Sequence, residues 1–263
     1  MRTAAGQEAN SVLERVLLLL KAFNSEAPTL RIPELVKYSK LPKATVYRLA
    51  AQLEAAGLIE RDGNAYRLGL RLFEMGQLAP RQRIVHDAAL PYMHDLREAT
   101  QETVHLAVLD GTEVVYIEKI AGRGAPLLPS EVGGRMPLHC TGVGKALLAF
   151  QPQPFITEVV SAGLDRRTPY TIRAPGHLLR ELAEVRKTGL GYEREESTMG
   201  VVCVAAPVMD AERSPIAAIS IAGWSNRLDV RRVSAAVRSA AMAIAREVSR
   251  EDPRSSFSQR RNS

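Results

Sequence analysis

Apolar and polar positions along the first seventy residues repeat with helical spacing and then with strand spacing. Ser11 and Glu14 are placed as a capping box, and Leu13, Val16, Leu17 and Leu20 follow as one helical face. Asn24 to Pro28 breaks that helix, and a second, short one is expected over Ile32–Ser39, with Leu35, Val36 and Tyr38 as its apolar residues. Only Lys40 and Leu41 separate it from a third helix opened by Pro42, a joint tight enough for a helix-turn-helix. In the third helix Val46, Leu49, Ala50 and Leu53 form the buried stripe. Leu58–Arg61 and Ala65–Leu68 then flank Asp62-Gly63-Asn64, a hairpin signal. Three helices and a hairpin describe a winged helix-turn-helix, assigned to residues 10–69 behind a loose tail at 1–9.

Farther on, Leu72, Phe73, Met75 and Leu78 mark a connecting helix over 70–84, which Pro80 should kink or end. A helix from Pro91 to about Thr100 opens the second domain, residues 85–250. Strands are expected at Thr103–Leu109, Val114–Ile117, Val132–Leu138, Val201–Val208 and Ile216–Ala222. Helices are expected at Gly142–Phe150, Phe155–Ser161, His177–Thr188 and Val230–Ser249. Hairpins flanked by helices give an α+β fold with an antiparallel sheet. Residues 251–263 carry arginines and serines without an apolar cluster, the composition of a disordered tail.

Charge changes this picture more than composition does. The 263 residues are 46% hydrophobic and 24% charged, as in globular proteins generally. Residues 1–86 hold 13 Lys or Arg against 8 Asp or Glu, whereas residues 87–250 hold 19 of each. A basic head beside a neutral body suits a polyanion-binding domain. The face of the third helix opposite its buried stripe carries Ala44, Tyr47, Arg48 and Ala51, edged by Thr45 and Gln52, with no carboxylate. Such a face fits the DNA major groove, where Arg48 can read a guanine edge or grip phosphate and Lys43, Thr45 and Tyr47 support it. Arg61 and Arg67 bring cations to the hairpin, within reach of the sugar-phosphate backbone. No apolar run approaches the roughly 18 residues of a membrane span, and no signal-peptide pattern opens the chain, so a cytoplasmic location and no membrane partner are expected. Cys140 and Cys203 suit a reducing compartment.

These motifs bring a family into view. Leu41-Pro42-x-x-Thr45-Val46-Tyr47-Arg48-Leu49, Gly57-Leu58-Ile59-Glu60 and Tyr66-Arg67-Leu68-Gly69 resemble the IclR family of bacterial transcriptional regulators. Arg135-Met136-Pro137-Leu138-His139, Gly142-Val143-Gly144-Lys145-Ala146 and Cys203-Val204-Ala205-Ala206-Pro207-Val208 extend the resemblance over roughly residues 10–250. It implies a GAF-like effector-binding domain, a dimerising role for residues 70–84, and a homodimer or dimer of dimers on a palindromic DNA operator. It also implies a small-molecule effector held by three segments: Gly142-Val143, the stretch Gly191–Gly200, and the strands carrying Cys203 and Ser220. Helix-start N–H groups at Gly142 favour a carboxylate there. Glu193 or Glu195 can accept from a ligand hydroxyl, while Glu196 matches a recurring family acid that can be structural. Ala222 stands where relatives that bind small keto acids can carry a second serine. The expected ligand therefore has an apolar or aromatic body and one carboxylate.

Catalysis is not expected, and neither a cofactor nor a metal is implied. The Gly142–Ala146 run is similar to the end of a phosphate-binding loop, but His139 replaces its first glycine and Ala146 its magnesium-binding hydroxyl. His139 and Cys140, adjacent on an extended segment, would point apart, and no paired metal-ligand spacing exists. A ligand sensor or scaffold without productive DNA binding is the alternative class, which a gel shift on DNA upstream of its own gene separates from a regulator.

Overall fold

The computed structural model describes residues 11–24 and 27–251. The expected tail at 1–9 lies outside that range, as do residues 252–263 of the other and Ser25 and Glu26 of the expected break, whereas Glu251, expected in the tail, is the last residue of a helix. Two compact units divide the chain, Met1–Pro80 and Arg81–Ser263.

In the first unit α1 (Val12–Leu20) begins as its sequence indicates. The Ser11 hydroxyl accepts from the Glu14 N–H, and the Glu14 carboxylate accepts from the Ser11 N–H, both at 3.1 Å. Its buried side differs from the expected face: Leu19 is buried, whereas Leu13 and Leu17 are exposed. Five consecutive apolar residues, Val16–Leu20, leave the periodicity ambiguous, and packing against Phe23, Leu30 and Leu35 selects the face. After β1 (Thr29–Leu30), α2 (Ile32–Ser39) ends at Lys40, whose φ of 56° is left-handed. The Tyr38 side chain faces solvent rather than the core. That turn delivers the chain to α3 (Lys43–Ala55), with Pro42 as its N-cap rather than its first turn. Val46, Leu49, Ala50 and Leu53 are all buried as the pattern requires. The wing is β2 (Ile59–Asp62) paired antiparallel with β3 (Ala65–Leu68), and β1 adds to β3. Gly63, at the first of the two turn residues, has φ +61°, where a hairpin of this length demands glycine. A separate helix, α4 (Leu70–Gln77), ends the unit.

Pro80 starts a new helix, so the single connecting helix expected over 70–84 is two. The helix expected to open at Pro91 is the second half of α5 (Pro80–Thr100), and Pro91 sits inside it. Val85, Ala88, Ala89, Met93 and Leu96 are buried along one stripe that runs straight past the proline. That stripe outweighs the single hydrogen bond the proline removes.

The second unit is built on a six-stranded antiparallel sheet in the order β6-β5-β4-β9-β8-β7. Its strands are β4 (Thr103–Asp110), β5 (Glu113–Ile120), β6 (Arg135–Pro137), β7 (Gly191–Arg194), β8 (Val201–Met209) and β9 (Pro215–Trp224). One face carries Val104, Leu106, Val204, Ala206, Ile219 and Ile221 and packs on α5 and α9 (Val230–Glu251). The other carries Tyr116, Ala205 and Ala218 and packs on α6 (Gly142–Leu148), α7 (Gln153–Ser161) and α8 (Pro175–Thr188). Strand alternation therefore turns His105, Cys203 and Ser220 toward the α6 face. His139 and Cys140 lie in the turn before α6, not on a strand. No helix among the described residues is long and apolar enough to cross a membrane.

The turn into α6 tolerates little. A Cβ on Gly144 would press on the Leu138 carbonyl and lie 2.5 Å from the Thr141 Oγ1 that caps the helix. Gly144→Ala should therefore lower stability by about 1–3 kcal/mol, read as a denaturant midpoint shift. An unchanged midpoint would show that the turn is looser than this packing.

Candidate functional site

In the first unit, the exposed side of α3 presents Lys43, Ala44, Tyr47, Arg48, Ala51 and Gln52, with Thr45 half-buried at its edge. Lys43 Nζ lies 5.9 Å from the Tyr47 ring centroid, a cation–π distance that stiffens both side chains. Arg48 pairs with no carboxylate of the described residues and points its charge outward. The two wing arginines differ from it. Arg61 Nε donates to Glu54 at 3.2 Å and its other end donates to the Tyr66 hydroxyl at 2.6 Å. Arg67 pairs with Glu60 at 3.1 Å, and Glu60 also accepts from the Leu70 N–H. Both arginines remain exposed at the wing, yet each already has an acidic partner. Arg67–Glu60 is a cross-strand pair, whereas Arg61–Glu54 ties the wing to α3.

In the second unit, the residues gathered on the α6 face enclose a cavity of about 20 Å³. Thr141, Gly142, Val143, Glu193, Ser197, Cys203 and Ser220 line it, together with His105, Tyr116 and Ser130. Five of the six sequence-derived effector residues thus converge. Glu195 does not. Its φ of 59° turns it away, and its carboxylate accepts from the Gly200 N–H at 2.7 Å, closing the 195–200 turn. Glu196 also points elsewhere, to Lys145 Nζ at 2.6 Å. His105, Tyr116 and Ser130 escaped sequence reasoning. His105 alone had a usable signal, since a period-two count from Val104 and Leu106 puts it on the opposite face.

Register explains the convergence. Cys203 pairs across the sheet with both Glu193 and Ala222, and His105 pairs with Ser220. The Ser220 hydroxyl and the Gly142 N–H both act to lower the Cys203 thiol's pKa, against the larger effect of burial. A Cβ on Gly142 would lie 2.8 Å from that sulfur, so the glycine is what lets α6 sit directly on β8. His105 Nε2 and Ser130 Oγ are 2.8 Å apart, tying the loop before β6 to the sheet. Burial drives the His105 pKa down to about 3, so the ring is neutral. Burial also raises the Cys140 thiol to about 12 and the Cys203 and Tyr116 groups higher still, which makes both sulfurs poor nucleophiles. Glu193 Oε1 accepts from both the N–H and the hydroxyl of Ser197, at 3.0 and 2.6 Å. Burial nevertheless pushes its carboxyl up to about 7, because those two bonds recover only part of the lost hydration. Beyond the cavity lies an open vestibule of about 460 Å³ lined by Leu127, Leu128, Pro129, Arg167, Thr168 and Met199. Among the described residues no cluster of His, Cys, Asp and Glu suits a metal ion.

Residues 78–250 match the family described as bacterial transcriptional regulator IclR C-terminal, and residues 12–63 match the IclR helix-turn-helix domain. The chain belongs to the IclR family. It is 34% identical over 220 residues to the HTH-type transcriptional regulator XynR of Escherichia coli, covering 82% of this chain and 87% of that one. It is 32% identical over 252 residues to KipR of Bacillus subtilis, covering 92% and 98%. Among solved structures, an IclR homolog from Microbacterium hydrocarbonoxydans complexed with 4-hydroxybenzoate superposes with TM-score 0.86 at 28% identity, covering 92% of this chain and all of that one. The Thermotoga maritima IclR superposes with TM-score 0.74 at 29% identity, covering 90% and 98%. IclR membership makes the chain a DNA-binding transcriptional regulator with an effector-binding domain, not an enzyme, and the α+β fold agrees with these neighbours.

Glu193 gives a pH-dependent signature. Its folded pKa lies above its unfolded value, so its stabilising contribution is complete below the unfolded value and is lost as pH rises through about 7. Glu193→Gln keeps the shape without the charge. Its stability relative to wild type should improve by roughly 2–3 kcal/mol between about pH 5 and pH 8.5, followed by chemical denaturation. A pH-independent difference would mean that Glu193 is ionised throughout.

Proposed function

We propose that α3 is the DNA-reading helix and that the cavity under α6 is where a small carboxylate effector with an apolar or aromatic body acts. Arg48 carries the first half of this reading, since it is an unpaired cation at the centre of an acid-free face directly after a helix-turn-helix joint. Lys43, Thr45, Tyr47 and Gln52 flank it. Arg61 and Arg67 reach the sugar-phosphate backbone by trading their carboxylate partners for phosphate, so their contribution is smaller than that of free cations.

Self-association is part of the same proposal. Leu70, Phe73, Met75 and Leu78 are each more than half exposed on and just after α4, as are Val12 and Leu13 on α1. Exposed apolar side chains at this density mark an interaction surface, and a homodimer or dimer of dimers would cover it. Residues 10–69 act as the DNA-binding domain, 70–84 as the dimerising connection and 85–250 as the effector domain of a cytoplasmic regulator. A twofold dimer then reads a palindromic operator.

The effector class draws support from Gly142, Val143, Glu193, Cys203 and Ser220 lining one cavity. The likeness to a homolog complexed with 4-hydroxybenzoate adds to it. Effector binding shifts operator affinity only as far as it discriminates between two conformations of the protein.

Arg48→Ala tests the DNA half. Binding to DNA upstream of its own gene should weaken by about 1–3 kcal/mol relative to random duplex of equal length, measured by gel shift at fixed salt. Equal loss on both DNAs would assign Arg48 to phosphate alone.

A further inference from the structure

A separate space opens nearer the other end of the sheet. At the end of β4 strand alternation turns Val108 toward the α5 layer and Leu109 toward the α6 layer, and both are half-buried. Ile216 at the start of β9 and Phe150, just after α6, are half-buried as well. With the buried Val85 of α5 these side chains line an open groove of about 480 Å³. That lies within the roughly 300–1,000 Å³ of small-molecule sites. The groove shares no lining residue with the cavity under α6. Leu109 lies four residues beyond His105 on β4, and Ile216 four before Ser220 on β9. The groove is therefore on the order of 13 Å along the strands from that cavity. No Asp, Glu, Lys, Arg or His lines it, and its polar side chains are Gln82, Gln151 and Ser214. Gln151 Nε2 donates to the Leu147 carbonyl at 3.2 Å, which leaves its Oε1 as an acceptor. The Ser214 hydroxyl and the Gln82 amide, both on exposed residues, bond to no described residue.

We propose that this groove is a second small-molecule site, for an uncharged ligand with a bulky apolar body and one or two polar groups, a carbonyl or a hydroxyl. It is independent of the effector reading for the cavity under α6. A carboxylate entering the groove would give up hydration and meet no cation in return. A neutral apolar body instead covers Val108, Leu109, Phe150 and Ile216, whose half-exposed surface is unfavourable in water. Gln82 and Ser214 can donate to a ligand carbonyl, and Gln151 Oε1 can accept from a hydroxyl. The backbone favours a small molecule over an added peptide strand. The Ser214 N–H donates to Asp210 Oδ1 at 2.7 Å and its carbonyl accepts from the Asp210 N–H at 2.9 Å. Pro152 and Pro215, also in the wall, have no N–H to give. The wall thus offers side-chain partners but no ladder for a strand. A ligand seated there touches the opening turns of α5 and the turn after α6 together, joining the two helix layers at one end of the sheet.

Photolabelling of the full-length protein with benzophenone tests this. The probe is neutral, carries a carbonyl on an apolar body, and inserts into nearby C–H bonds under near-ultraviolet light. Labelling should be saturable and should map to peptides containing Val108 and Leu109, Phe150, or Pro215 and Ile216. 4-Benzoylbenzoate, the same body with a carboxylate, should label those peptides with about tenfold lower affinity. Ser214→Trp on the exposed hairpin and Gln82→Trp on α5 should each fill the groove and lower benzophenone affinity about tenfold. Two variants on separate elements, each checked for an unchanged denaturant midpoint, exclude a local folding defect as the cause. Absence of saturable labelling, equal affinity for the acid, or no effect of either tryptophan overturns the assignment. So does a gain of about tenfold on deleting residues 252–263, or a loss at higher protein concentration, since the groove would then belong to the chain's own end or to a second copy. Label confined to peptides carrying Gly142, Glu193 or Ser220 would place benzophenone in the cavity under α6, overturning this site while leaving the effector reading intact.

Discussion

Lys145 and Glu196 form the contact on which the second unit's site depends. An ammonium with no solvent exposure keeps its charge only if a carboxylate meets it, and Glu196 Oε1 does so at 2.6 Å. The pair ties the middle of α6 to the turn that follows β7. The same turn is anchored through its carbonyls, since the Thr171 hydroxyl donates to Glu196 at 2.6 Å and the Thr168 hydroxyl donates to Glu195 at 2.6 Å. Glu193 and Ser197 flank this anchor, and both line the cavity. One Glu196 oxygen stays buried without a partner, so the pair is a costly device whose worth lies in fixing geometry. Glycines complete the constraint: a Cβ on Gly191 would lie 2.6 Å from the Gly142 carbonyl, so α6 can rest on β7 only because both positions lack one.

Much of the first unit was legible because local signals agree there. The capping box, the short joint at Lys40-Leu41, the α3 stripe and the Gly63 turn each say the same thing at different scales. Leu13 and Leu17 misled because an all-apolar run has no face of its own. The α4 and α5 break was signalled by Pro80, but Pro91 was read as a start because its local preference is for helix openings. A buried stripe crossing it is a tertiary fact that local preference does not contain.

The cavity was half legible. Gly142, Val143, Cys203 and Ser220 sit in motifs, and the sheet's period brings them together. β7 went unseen because Gly191–Arg194 is a four-residue edge strand with a glycine and two charges, below the threshold of any pattern. Without β7, nothing distinguished inward Glu193 from Glu195, which the 195–200 turn removes. Tyr116 and Ser130 join the site through strand register and a loop spanning 121–134, and neither is written in local spacing, whereas strand alternation does mark His105.

A sheet with neutral, buried polar groups on one face and a head with unpaired positive charge divide the chemistry cleanly. The body stores no excess charge, with 19 basic and 19 acidic residues over 87–250. The head carries an exposed cation, Arg48, on an acid-free helix face. Selection of bound sequences from a random duplex pool by the full-length protein tests this account most directly. It predicts enrichment of an inverted repeat with half-sites about one helical turn apart. Salt-sensitive retention of DNA with no enriched motif would contradict it, leaving a polyanion-binding head that does not read sequence.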